Sequence, residues 1–272
     1  MLWQHQILAG ASGATAAGGG PDHEGYPVGG YTGRWRAQSN AVTVSGTAVS
    51  QWDNLGSAGS DWDSTQSTEV NKPTFNESSE NMNSKPSLSF DATGYTANSD
   101  YLDTGEKDGS DLIATDQFTI YVALFQEADS GNTGHNTGTY WATPGQYWGM
   151  FAGVTNHMYG SGYEHVSVTV ANDSLVCMEW RYDGSTQYFT VAGVGALVGS
   201  TTDSASNIGS LTYGTNTYVI GAGGVGGNSG SGSSGDFDGE IGEMIFYNTH
   251  LGSSDRTTNR NYFATNYGVT WS

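Results

Sequence analysis

The chain has 272 residues and a formal net charge of −19, from 27 Asp+Glu against 8 Lys+Arg, with 41 Gly, 5 Pro and one Cys. Charged residues make up 13% of it, against roughly 25% in an average globular protein, which argues against salt-laced surface helices and coiled coils. With 36% hydrophobic and 12% aromatic residues there is enough apolar material for a core, so the chain is neither disordered nor collagen-like.

Residues 1–30 read as an N-terminal arm or linker. Leu2, Trp3, Ile7 and Leu8 form a short apolar head, followed by a stretch of small residues. Two readings stay open: the head docks on a partner surface, or it packs as an extra strand on its own domain. No basic residue precedes Ala14-Thr15-Ala16 and the longest apolar run there is Ile7-Leu8-Ala9, so a classical signal peptide is not expected. Residues 31–272 read as one domain. Leu88 and Phe90 mark an early strand, and residues 118–125 (Phe-Thr-Ile-Tyr-Val-Ala-Leu-Phe) are apolar on both faces, as a central strand covered on each side requires. Residues 165–170 alternate cleanly, with Val166, Val168 and Val170 on one face. Residues 175–182, 188–194, 218–221 and 239–247 continue the series, and Cys177, inside an apolar run, behaves as a small hydrophobe. Residues 223–235 are a Gly/Ser loop. One helix is predicted over 254–265, with Ser253 or Ser254 as N-cap, Asp255 in the first turn, and Tyr262 and Phe263 docking it. Many short strands with one helix predict an all-β fold: a two-sheet antiparallel jelly-roll sandwich with one short C-terminal helix.

Several segments occur in a recognisable order: Trp52-Asp53-Asn-Leu-Gly, Lys72-Pro73, Lys85-Pro86-Ser-Leu88-Ser-Phe90-Asp91 and Asp100-Tyr101-Leu102. Near the end comes Phe237-Asp238-Gly239-Glu240-Ile241-Gly242-Glu243-Met244-Ile245-Phe246-Tyr247. This order resembles the concanavalin A-like (LamG-like) jelly-roll superfamily over residues 34–272, with Ala92 standing where that pattern has Gly. The resemblance implies the sandwich fold; for function it leaves lectins, glycanases and adhesive modules open. The arm of small residues before a jelly roll also resembles virion structural proteins of tailed phages.

Chemistry is sparse. Glycanases of the resembled fold use carboxylates on one strand, but Glu240 and Glu243 are three apart, and on a flat strand that spacing points them to opposite faces, so only a bulge could aim both into one cleft. Glu243 is therefore expected to hydrogen-bond a neighbouring loop and Glu240 to be solvated. Residues 221–226 match G-x-G-x-x-G, yet no helix follows to face a pyrophosphate. The six histidines have no zinc spacing. Asp53, Asp61 and Asp63 on one loop, and Asp91, Asp100 and Asp103 around another, offer hard oxygens of the kind calcium takes; no other cofactor is expected. Tyr140, Trp141, Tyr147, Trp148, Tyr159 and Tyr163, in a Gly/Asn/Thr-rich stretch, are candidates for stacking on sugars. Nucleic acid and membrane insertion are not expected, because the acidic field repels phosphate backbones and anionic lipid and no run approaches the ~20 apolar residues of a span. The resulting expectation is a non-enzymatic phage virion protein, a capsid decoration or tail-associated component. Its partners would be other virion proteins, further copies of itself and host surface glycans. A soluble or exported carbohydrate-binding module and an unusual glycanase are the competing readings.

Overall fold

The computed structural model describes residues 25–91, 99–113, 117–127, 138–143, 146–152, 156–159, 165–168, 173–194, 201–206, 215–221 and 237–271. The Leu2, Trp3, Ile7 and Leu8 head lies outside them. In chain order the first strands are β1 (Gly33–Arg36), β2 (Val42–Ser45), β3 (Ala48–Trp52), β4 (Ser64–Thr65), β5 (Thr74–Ser79), β6 (Lys85–Phe90), β7 (Leu102–Asp108) and β8 (Phe118–Gln126). There follow β9 (Gly138–Thr143), β10 (Gln146–Ala152), β11 (Asn156–Tyr159), β12 (His165–Val168), β13 (Ser174–Tyr182), β14 (Thr186–Gly193), β15 (Thr201–Ser206), β16 (Thr215–Ile220) and β17 (Gly239–Tyr247), then helix α1 (Ser253–Tyr267).

Every strand pairing among the described residues is antiparallel. The first sheet runs β5-β6-β17-β8-β13-β14-β15, with β1 continuing the line of β6 along the second half of β17. The second runs β2-β3-β4-β7-β16-β9-β10-β11-β12. They join where Ala48 of β3 meets Thr74 of β5. The fold is thus an antiparallel β sandwich closed by one C-terminal helix.

Strand β8 shows why the sequence takes this form. Phe118, Ile120, Val122 and Leu124 enter the core between the sheets, with Met178 and Trp180 of β13, Met244 and Phe246 of β17, and Leu102, Tyr218 and Ile220 of the facing sheet. The alternate residues Tyr121 and Ala123 enter a second core on the outer face, under Tyr262, Phe263 and Tyr267 of α1. A strand apolar on both faces is required where one sheet is covered twice. Cys177 is buried in that outer core, and burial pushes its thiol up.

The helix begins one residue earlier and ends two later than its sequence signals suggest. Its N-cap is Gly252, which has no side chain to cap with, rather than Ser253 or Ser254. Thr257 and Thr258 instead turn their hydroxyls back onto the carbonyls of Ser253 and Ser254. Gly268 ends the helix at φ 69°, a left-handed conformation that favours glycine, and donates to the Ala264 carbonyl. The described part of the arm is tied down beside α1: Val28 N–H donates to Asn259 Oδ1 at 2.7 Å, and Tyr247 Oη donates to the Val28 carbonyl at 2.7 Å.

Asp91 and Asp100 pin the two ends of a loop, since Asp100 N–H donates to the Asp91 carbonyl and Asp91 N–H to Asp100 Oδ2. Burial, aggravated by the Asp91 charge, pushes the Asp100 carboxyl up to about 7. Its folded value lies above its unfolded one, so the native state binds the extra proton and stability falls as pH rises from about 4 through 7. Asp100→Asn keeps an acceptor for Asp91 N–H without the charge. Thermal melts should find this variant several degrees more stable than the parent at pH 8 and close to it at pH 4; equal melting temperatures at both values would refute the account.

Candidate functional site

The carboxylates that sequence reasoning weighed for acid/base work lie on β17, and a bulge decides their placement. The β17–β8 register passes from Ile241↔Leu124 to Glu243↔Ala123, leaving Gly242 as an extra residue. Glu240 therefore stands opposite Phe125 and Glu243 opposite Ala123, two apart on β8 and on one face. This corrects the flat-strand expectation that they face opposite ways. A Cβ on Gly242 would sit 2.8 Å from both Met82 Cε and Tyr267 Oη, so the close approach of α1 requires glycine at the bulge.

Both carboxylates point to the outer face of the first sheet, under α1 or the turn Glu80–Met82, and are consumed there. Arg34 Nε donates to Glu243 Oε1 at 2.7 Å and Tyr262 Oη to Glu243 Oε2 at 2.6 Å. Arg34 also donates to the hydroxyls of Tyr31 and Tyr262. Burial opposes the Arg34 charge, but Glu243 and Tyr262 more than offset it and hold the guanidinium above its ordinary value. Burial and the Glu243 charge likewise push Tyr262 up. Glu243 thus bonds to β1 and α1, where a loop partner was expected. Glu240 is buried rather than solvated, accepting from Asn81 Nδ2 at 2.8 Å and from the Ser87 hydroxyl.

A third buried carboxylate, Glu179 of β13, escaped the sequence reading. Arg260 of α1 grips it with Nε at 2.9 Å and Nη2 at 2.8 Å, and Tyr121 Oη donates to it at 2.9 Å. Arg181 and Arg256 stand further off, at 3.4 and 3.6 Å. The available signal was a lone carboxylate inside the apolar run Leu-Val-Cys-Met-Glu-Trp, which cannot stay buried without cations.

The aromatic candidates share one region of the second sheet. Tyr140 and Trp141 lie on β9, Tyr147 and Trp148 on β10, and Tyr159 ends β11. Trp141 is in register with Met150, and Tyr159 with Gly149, so β10 runs between the other two. Tyr163 lies outside the described residues. In the acidic loop, Gln51 Nε2 donates to both Asp53 Oδ1 (2.8 Å) and Asp63 Oδ2 (3.1 Å), and Asn54 N–H donates to Asp63 Oδ1. Burial and the charges of Asp53 and Asp61 raise Asp63. An amide thus occupies the place between Asp53 and Asp63, while Asp61 is exposed. Asp103 accepts from Gly105 N–H, apart from the Asp91–Asp100 pair. Among the described residues no three His, Cys, Asp or Glu side chains converge as a metal site, and no helix is long and apolar enough to cross a membrane.

No family model and no curated protein matches the chain. Among solved structures it is similar to the native heptameric SAP-like pentraxin from Limulus polyphemus, with 11% identity, TM-score 0.43, and coverage of 65% of this chain and 81% of that one. It is also similar to domain 4 of a GH43 extracellular arabinanase from Geobacillus stearothermophilus in complex with arabinotriose: 13% identity, TM-score 0.43, 84% and 96% coverage. A third is the enzymatically active domain of tailspike protein 2 of bacteriophage CBA120, at 10% identity, TM-score 0.43, 71% and 30% coverage. No residue role is transferred from any of them.

With both side chains almost fully buried, removing one partner of the Arg34–Glu243 pair strands the other charge. Glu243→Ala should cost about 3–5 kcal/mol in denaturant unfolding, and Glu243→Gln, which still accepts from Arg34, less. Equal stability of Glu243→Ala and the parent would show that the pair does not hold α1.

Proposed function

We propose that this chain is a non-enzymatic surface module of a phage particle that adheres to glycans through the β9–β11 region. The observation that carries the non-enzymatic part is the use of Glu179, Glu240 and Glu243. Each is buried on the outer face of the first sheet and saturated by arginine, tyrosine, asparagine or serine donors. General acid/base hydrolysis of a glycoside needs two carboxyl groups flanking the scissile bond, and these three sit beneath α1 or the turn Glu80–Met82. The adhesive part is supported by Tyr140, Trp141, Tyr147, Trp148 and Tyr159 on neighbouring strands, since aromatic faces beside Asn and Thr suit sugar rings. Attachment to other virion proteins is assigned to the apolar head Leu2, Trp3, Ile7 and Leu8.

A glycan array on the full chain, with Trp141→Ala/Trp148→Ala as control, tests adhesion. Binding by the parent that falls at least about tenfold in the variant is expected, matching the loss of about 1–1.5 kcal/mol from aromatic contact. Particle incorporation is tested by deleting residues 1–20: the melting temperature should hold while occupancy on particles is lost. Release of reducing ends from any polysaccharide, abolished by Glu243→Gln, would replace this reading with a glycanase.

A further inference from the structure

Glu179 has more cations around it than it can use. Arg260 occupies both of its oxygens and Tyr121 adds a third donor, which completes the carboxylate. Arg181 Nε and Arg256 Nη1, at 3.4 and 3.6 Å, lie beyond the roughly 2.7–2.9 Å of a charge-assisted hydrogen bond. Neither Nε has a hydrogen-bond partner among the described residues. The two side chains keep exposures of 14% and 20%, although both Nε atoms are themselves buried.

The surroundings hold these groups in place. The Arg181 guanidinium lies 3.8 Å from the centroid of the Tyr188 ring, and its Nη1 is 3.0 Å from Nε2 of the half-buried His250. Burial and the Arg256 charge lower Arg181, and burial and the Arg181 charge lower His250. The acid nearest in charge to His250, Asp183, is already engaged by the backbone N–H groups of Ser185 and Thr186 and by the Ser185 hydroxyl. Asp255, in the first turn of α1, is exposed. Three arginines thus surround the single buried carboxylate Glu179, in a chain of net charge −19.

We propose that Arg181, Arg256 and His250 form a binding site for a single carboxylate group on an otherwise uncharged ligand. Two planar guanidinium groups suit the planar carboxylate, and the His250 ring, whose Nε2 accepts from Arg181 Nη1, lies beside them to sense the anion. The overall negative field disfavours a polyanion but leaves a single charge to be captured locally, since screening limits that field to about 8 Å at physiological salt. The site lies on the outer face of the first sheet, on β13 and α1, and stands independently of the glycan reading at β9–β11.

The experiment is an NMR titration of the His250 ring in the full chain with sodium glucuronate, sodium acetate or glucose, ionic strength being held with NaCl. Both carboxylates should shift the His250 resonances and raise its titration midpoint, and glucose should do neither. A tighter response to glucuronate than to acetate would support an acidic sugar as ligand; equal responses would support recognition of the carboxylate alone. Arg256→Gln leaves the Arg260–Glu179 grip intact and should weaken the response about tenfold, as loss of one charged donor does. No response in the parent, the same response to NaCl alone, or undiminished binding by a folded Arg256→Gln would overturn the proposal.

Discussion

Arg34 reaches Glu243 across 209 residues of sequence, and the layer this contact belongs to organises the outer half of the molecule. The first sheet carries three carboxylates on the face that α1 and the turn Glu80–Met82 cover. An ionised carboxylate cannot stay there unpaired, because losing water costs several kcal/mol. The chain has only five arginines. Arg34 goes to Glu243, Arg260 binds Glu179 with Arg181 and Arg256 close by, and Arg36 is in register with Glu243 on β1. Four of the five arginines thus lie where buried carboxylates demand them.

The bulge at Gly242 makes this layer a single layer. Without the extra residue, the three-residue spacing would direct Glu240 or Glu243 into the inter-sheet core, among Ile241, Met244 and Phe246, where the described residues offer no arginine. With it, both carboxylates meet donors from β1, β6, the turn at Asn81 and α1. Tyr262 then does two jobs, its ring packing in the outer core while its hydroxyl bonds Glu243. The energetic gain of such pairs is small compared with an apolar core of the same shape. Their effect is on geometry: they fix the rotation of α1 on the sheet more tightly than Phe263 and Tyr267 alone would.

Period-two alternation made much of this architecture legible in the sequence. Residues 118–125 announced a strand covered on both faces, and Tyr262 with Phe263 announced the docking face of the helix; both stand in the structure as read. What period alone could not show was any change of period. A bulge adds one residue without altering composition, so Glu240 and Glu243 were assigned to opposite faces. Nor could local reading pair Glu179 with Arg256 and Arg260, which lie far along the chain and meet it only when α1 folds back. Burial of Glu240 was hidden for the same reason, because its donors Asn81 and Ser87 belong to the far side of the chain. The N-cap was misplaced because Gly252 leaves no side-chain signal.

The two faces of the sandwich are built differently. Val28 is held by Asn259 of α1 and by Tyr247 of β17, on the helix-covered side of the first sheet. Strands β9, β10 and β11 belong to the other sheet, across the inter-sheet core. The helix-covered face is the one whose buried carboxylates are satisfied and whose geometry the helix locks. This polarity follows from the topology, because β1 and α1 bring residues near both ends of the chain together on one sheet and leave the mid-chain strands to build the other. The buried ion pairs tie β1, β13, β17 and α1 into one rigid layer.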